Sequence, residues 1–224
     1  MRPVCSSRTM KVPVPVNGSR IWTSASDRVV PKSACSFYYV YGLLHSPQYR
    51  SRFAADLKKM LPRIPAATYR EQFDAFTHAG RSLPDLHLGY ETAKPYPLAE
   101  TVTGTLDQND RDTLRVDKMR FKSKTDHSAL IYNSHITLSG IPDDAHRYRL
   151  GSRSALEWII ERYQIKTDSN GSGIVNDPNT WCEEHNDPRY IIDLIKRIVT
   201  VSITTMSIVE APPELNPQPM QASV

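Results

Sequence analysis

The stretch LRVDKMRFKSKTDHSALIYNSHITL, residues 114–138, decides the fold class. Its apolar residues leave the three-to-four spacing seen on either side and take up a spacing of two, with Val116 and Phe121 in one run and residues 129–138 in another. Side chains alternate faces along a strand, so that spacing marks strands with one face buried. The polar residues 123–128 between the runs predict a hairpin, although no Asn-Gly or Asp-Gly pair marks its turn. A central β-hairpin or small antiparallel sheet, with helices before and behind it, makes the expected fold α+β.

Upstream, FYYVYGLLHSP (37–47) is apolar for more than two helical turns, and Ser46-Pro47 reads as an N-cap with proline at the first helical position. Tyr49, Phe53, Leu57 and Leu61 then recur every fourth residue, predicting an amphipathic helix stopped by Pro62 and Pro65. A second helix is expected from Thr68, capping-boxed by Glu71, through Phe73, Phe76 and Leu83 to Pro84, with Leu86, His87 and Tyr90 as a further turn. The pattern vanishes between residues 92 and 110, the candidate internal boundary.

Downstream, Ser154 and Glu157 form a capping box ahead of Trp158, Ile159 and Tyr163. Residues 166–186 read as a long polar loop. Asp187-Pro188 opens a last helix through Ile191, Leu194, Ile195, Ile198 and Val199, whose β-branched second half, VTVSITTMSIV, is open to a strand reading. The expected organisation is a leader over 1–36, disordered or loosely attached, a domain over 37–212 and a disordered Pro-rich tail over 213–224. An organellar presequence is the alternative for the leader, opposed by its missing amphipathic period.

Composition places the chain among globular proteins: 39% hydrophobic and 23% charged over 224 residues, with 17 prolines against 9 glycines suggesting rigid turns. The net charge of +4 is misleading as a sum. Arg2, Arg8, Lys11, Arg20, Arg28 and Lys32 against Asp27 put +5 into residues 1–36, leaving −1 for the rest. Three separated cysteines, Cys5, Cys35 and Cys182, indicate neither a disulfide framework nor a zinc site and suit a reducing cytoplasm. No apolar run approaches the length that spans a bilayer.

The one concentrated charge in the domain is RDTLRVDKMRFKSK (111–124), where Arg111, Arg115, Lys118, Arg120, Lys122 and Lys124 outnumber Asp112 and Asp117. On a strand Lys118, Arg120, Lys122 and Lys124 share a face, and such a row can follow a phosphate backbone. It can equally be the solvated face of an edge strand, where lysines oppose aggregation. Base readout needs side chains that make two hydrogen bonds at once, and Arg120 and Asn133 are the candidates. In the loop KTDSNGSGIVNDPNTW (166–181), Lys166, Asn176 and Asn179 can face DNA or a neighbouring domain. The same loop resembles a calcium loop at Asp168, Asn170, Ser172 and Gly173, but Asn179 stands where a bidentate Glu is required. Cys182 and His185 make half a zinc spacing with no second pair, so no metal or other cofactor is expected. His45 and His87 read as core or cap histidines, and Tyr38, Tyr39 and Tyr41 as packing aromatics before base-stacking ones.

The segments FYYVYGLLHSPQYR, LPRIP, ITLSGIP, SALEWIIERYQIKTD and SGIVNDPNTW, in this order, resemble the C-terminal specificity domain of type I single-polypeptide (type ISP) restriction–modification enzymes. In that family nuclease, translocase, adenine methyltransferase and target recognition share one chain. The resemblance runs from about Ser36 to Pro212 and implies a module that reads a duplex DNA site and presents it to the catalytic domains, its partners. The leader departs from the family, as though the reading frame were truncated.

The residues agree with a non-catalytic role. There is no G-x-x-x-x-G-K-[ST] loop, no Asn/Asp-Pro-Pro-aromatic corner for a flipped base and no Glu-x-Lys of a restriction nuclease. A rival is a structural coupler, its aromatic helix near Phe37 to Leu61 docking on the methyltransferase core without touching DNA. A fragment of an adenine methyltransferase is the other alternative, opposed by the missing motifs.

Overall fold

The computed structural model describes residues 14–16, 19–21, 32–104, 110–168 and 172–215. The expectations for most of the leader, for Asn170 and Gly171, and for the tail past residue 215 lie outside the described residues. The fold is α+β. The chain divides into two compact units, residues 1–88 with 207–224, and residues 89–206.

In the first unit, strands β1 (Val14–Val16) and β2 (Ser19–Ile21) pair antiparallel. Helix α1 (Lys32–His45) begins upstream of Phe37, and the short helix α2 (Pro47–Arg52) follows directly, its N-cap Ser46 accepting the Tyr49 N–H as Ser-Pro predicts. The amphipathic helix expected to reach Leu61 stops at Arg52. The chain continues in turns, so Phe53 and Leu57 still pack on the core while Leu61 is 87% exposed.

Helix α3 (Arg70–Leu88) carries Pro84 inside it, and the further turn expected after that proline holds Leu86 and His87. At its entry Gln72 Oε1 accepts the Thr68 N–H at 2.9 Å. Helices α1 and α3 cross at two glycines. A Cβ on Gly42 would overlap the Phe76 carbonyl, and one on Gly80 the Tyr38 carbonyl. Tyr39, Leu43, Tyr49 and Phe76 form the core. Two of them hold the proline-bounded segment with their hydroxyls, Tyr39 donating to Pro65 O at 2.8 Å and Tyr49 to Arg63 O at 2.7 Å. Tyr39 is thus a packing residue, stacked on Phe73, and burial pushes its hydroxyl up to about 12.

In the second unit a four-stranded antiparallel sheet is built from β3 (Ala99–Val102), β4 (Arg120–Phe121), β5 (Ala129–Ile131) and β6 (Ile136–Ser139), in the order β3-β6-β5-β4. The second β-leaning run of the sequence is therefore two strands, folded back at Asn133 with Leu130 opposite Leu138. Strand β3 falls where the sequence shows no alternation. It exists because its backbone pairs with β6, from Ala99 opposite Ser139 to Val102 opposite Ile136. Helix α4 (Arg111–Leu114) precedes the sheet's edge strand, capped by Asp110.

Beyond the sheet, β7 (Arg149–Leu150) and β8 (Arg153–Ser154) turn around Gly151 at φ +69° and lead into α5 (Ala155–Arg162), which carries the expected Ser154–Glu157 capping box. The loop expected over 166–186 is structured: β9 (Lys166–Thr167) pairs with β10 (Val175–Asn176), and α6 (Asn179–Glu184) follows. Helix α7 (Tyr190–Glu210) is helical throughout, β-branched half included. Ile191, Ile192, Leu194, Ile195, Val199 and Val201 are buried along it, and burial of an apolar face outweighs the small helix penalty of branched residues. Glu100 on β3 takes Arg189 at 2.6 Å and Lys196 at 2.5 Å from α7. Burial, its largest influence, raises the Glu100 carboxyl, but hydrogen bonds from Lys196 and Arg189 with their charges outweigh it and hold the group below the usual range.

Candidate nucleic-acid interface

The basic segment 111–124 is anchored from below by two buried amides. Asn133, at the β5–β6 turn and 8% exposed, donates to Thr113 O at 2.9 Å and Arg115 O at 2.8 Å, while its carbonyl accepts the N–H groups of His135 and Ile136. Asn179, at the start of α6, accepts the Val116 N–H at 2.8 Å and donates to Val116 O at 2.9 Å. Both side chains use their amide faces on backbone, as buried amides must. The amide edge that adenine readout requires at Asn133 is therefore already occupied, and Asn179 likewise faces inward. Between them Tyr132, fully buried, donates to Leu114 O at 2.9 Å, and burial pushes its hydroxyl far up.

This anchoring turns the opposite side of the segment to solvent. Val116 and Met119 are buried and Phe121 half-buried, whereas Arg115, Lys118, Arg120, Lys122 and Lys124 are exposed. Only Arg120 of these cations lies on a strand, so the shared face comes from burial of Val116 and Met119 more than from a long β-run. Arg115 is held by Asp177 at 3.2 Å and by Glu183, and Lys122 by Asp126 at 2.9 Å. Lys118, Arg120 and Lys124 have no carboxylate partner among the described residues. Hydrogen bonds from the Ser128 hydroxyl and from Lys122 hold Asp126 down at about 2.

The ribbon β9–β10 joins the same surface. The Ile165 N–H donates to Asp117 O at 3.2 Å, which sets Lys166 beside the basic segment at Lys118. Lys166 lies 4.0 Å from Glu161, and Asn176, opposite Lys166 in the ladder, is exposed next to Asp177. The structure thus gathers Arg115, Lys118, Lys166 and Asn176 about one junction, with Arg120, Lys122 and Lys124 leading away along β4 into its turn.

A cleft of about 310 Å³ opens beside Arg115, with Leu114, Asn179 and Cys182 among its lining and Arg111 and Glu183 around it. Arg111 also donates to Asn186. The sequence reading put neither Asp177 nor Glu183 at this site. The available signal was the acidic content of 177–187 matched against an Arg-rich partner, but the pairing is long-range and carries no spacing rule. Asp168, the first position of the calcium-like loop, accepts the Ser172 hydroxyl at 2.6 Å. Among the described residues no group of His, Cys, Asp and Glu has the arrangement of a metal site, and no helix is long and apolar enough to cross a membrane.

Comparison with solved structures finds the same architecture inside much larger proteins. The ATP-dependent Type ISP restriction-modification enzyme LlaBIII bound to DNA is 36% identical, with a TM-score of 0.70 over 85% of this chain and 12% of that one. A nuclease-deletion mutant of the Type ISP enzyme LlaGI, in complex with a DNA substrate mimic, is 42% identical, with a TM-score of 0.70 over 83% of this chain and 17% of that one. A DrdV–DNA complex is 35% identical, with a TM-score of 0.66 over 84% of this chain and 18% of that one. The chain therefore spans less than a fifth of the length of each of these proteins. No curated protein sequence matches it. The family described as the Type ISP C-terminal specificity domain matches residues 22–194, and with that span, that identity and the shared fold, this chain belongs to that family.

Proposed function

We propose that this chain reads duplex DNA as the specificity module of a restriction–modification enzyme, with nuclease, translocase and methyl-transfer chemistry residing on other domains, its partners in a longer polypeptide. The observation that carries the reading is the row of exposed cations Lys118, Arg120 and Lys124 without carboxylate partners among the described residues, in a family whose solved members hold DNA. Phosphate contacts from this row set register and orientation, and base edges supply the sequence information. Arg115 and Lys122 join when phosphate displaces Asp177, Glu183 and Asp126. Base contacts fall to exposed Arg120 and Asn176, with Lys166 at the ribbon's root, while Asn133 acts by positioning the segment. The two buried thiols, Cys35 and Cys182, suit a reducing cytoplasm.

The test is duplex binding measured against salt. Each neutralised phosphate contributes about −0.9 to the slope of log K against log salt. The triple variant K118A/R120A/K124A should keep its thermal midpoint and lose about three units of slope. An unchanged slope would remove the row from the interface.

A coupler reading is favoured by one observation in the first unit, where Met60, Leu61 and Ile64 are exposed around the proline-bounded segment. Absence of duplex binding at any salt, with retained association to a methyltransferase core, would select it.

A further inference from the structure

The ribbon β9–β10 carries apolar side chains that its own unit does not bury. Ile174 is 67% exposed, Val175 54% and Ile165 39%. Val175 stands opposite Thr167, and the Asp168 N–H donates to Ile174 O at 2.8 Å, so the pairing continues through Ile174. Neighbouring side chains on a strand point to opposite faces, which leaves an aliphatic group on each face of the ribbon. Scattered exposed apolar residues are ordinary, but three β-branched ones on so short a ribbon make a surface suited to cover.

Charge names what covers it. The ribbon is rooted at Asp117, one residue before Lys118, the first unpartnered cation of the row, and Lys166 stands at the same root. A polyanion drawn to that row is brought against the ribbon. The major groove of B-DNA admits a two-stranded ribbon, and its one apolar feature is the C5-methyl group of thymine. We propose that the ribbon reads a thymine methyl group in the major groove with the aliphatic side chain of the face it turns to the bases, Ile174 or Val175, so that the recognised site contains thymine beneath the ribbon. This inference deepens the DNA reading and rests on it.

The experiment begins with duplexes selected from a random pool by the full chain. Each thymine of the selected sequence is replaced singly by deoxyuridine, which removes the methyl group and keeps every hydrogen bond. At one or more positions the replacement should weaken binding roughly fourfold, the factor one buried methylene is worth. The I174A/V175A variant should bind the thymine duplex correspondingly more weakly, fail to distinguish deoxyuridine there, and keep the wild-type salt slope. Should that variant fold poorly, the single variants I174A and V175A serve in its place. Indifference of the wild-type chain to every replacement, a selected site without thymine, or a variant that still discriminates each overturns the proposal. Absence of salt-dependent binding to any duplex overturns the DNA reading as well, and that failure is distinct from full-slope binding that ignores methyl groups.

Discussion

Tyr49 shows how one polar atom disciplines a core. Its ring lies in the apolar cluster with Leu43 and Phe76, and its hydroxyl ends on Arg63 O at the edge of the proline-bounded segment. Tyr49→Phe should cost about 1 kcal/mol, the usual net worth of such a bond, measured by chemical denaturation. Asn179 has more at stake, because both polar groups of Val116 depend on it. Asn179→Ala leaves a buried donor and a buried acceptor unpaired, at a cost of about 3 kcal/mol, and should also weaken duplex binding by releasing the basic segment. His87 reports on pH. Burial first, and the neighbouring His45 second, push it down to about 4 from its ordinary 6.5. Its contribution to stability is complete above pH 6.5 and is lost as pH falls toward 4, because the unfolded chain takes up the proton first. Unfolding curves of the wild type and His87→Gln between pH 7 and 4 should converge as the pH drops. A constant gap between them would contradict this role.

At the scale of elements, the crossing of α1 and α3 depends on glycine for closeness. A methyl on Gly80 meets the Tyr38 carbonyl, which belongs to backbone and cannot swing aside. Gly80→Ala should therefore destabilise the chain by about 3 kcal/mol, despite alanine's better helix propensity, as read from its thermal midpoint. The capping box at α5 behaves in the opposite, local way. Ser154 accepts the Glu157 N–H and Glu157 accepts the Ser154 N–H, so Ser154→Ala should cost about 1 kcal/mol with no effect elsewhere. Elements of this local kind were legible: the cap at Ser46, the box at Ser154, the hairpin around residues 123–128 and the opening of α7 each follow from neighbouring residues. Strand β3 was not, because its side chains do not alternate apolar with polar and its existence rests on β6 lying alongside. The early end of α2 was hidden for a related reason. Phe53 and Leu57 keep the helical spacing because turns also bring every fourth residue to one side.

Over the whole molecule, the overall positive charge is a poor guide to where a polyanion would bind. The leader accounts for the excess and the remainder is slightly acidic. The phosphate contacts that carry the salt dependence should therefore be local to residues 111–124. Reversing the exposed pair Lys58 and Lys59 in the first unit should leave the salt slope of duplex binding unchanged, whereas the triple variant of the basic segment lowers it.

The sequence by itself determined the α+β class, the family and the concentration of charge between Arg111 and Lys124, because period, caps and charge are properties of neighbouring residues. Only the tertiary structure decided what those charges and amides do. Asn133 and Lys118 look equally available in the chain, yet one is spent on the carbonyls of Thr113 and Arg115 and the other stands in solvent. Availability of a polar group depends on which backbone it meets, and Asn179 meets Val116 across 63 positions. That distance is closed by burying apolar surface elsewhere in the unit, which no local spacing records.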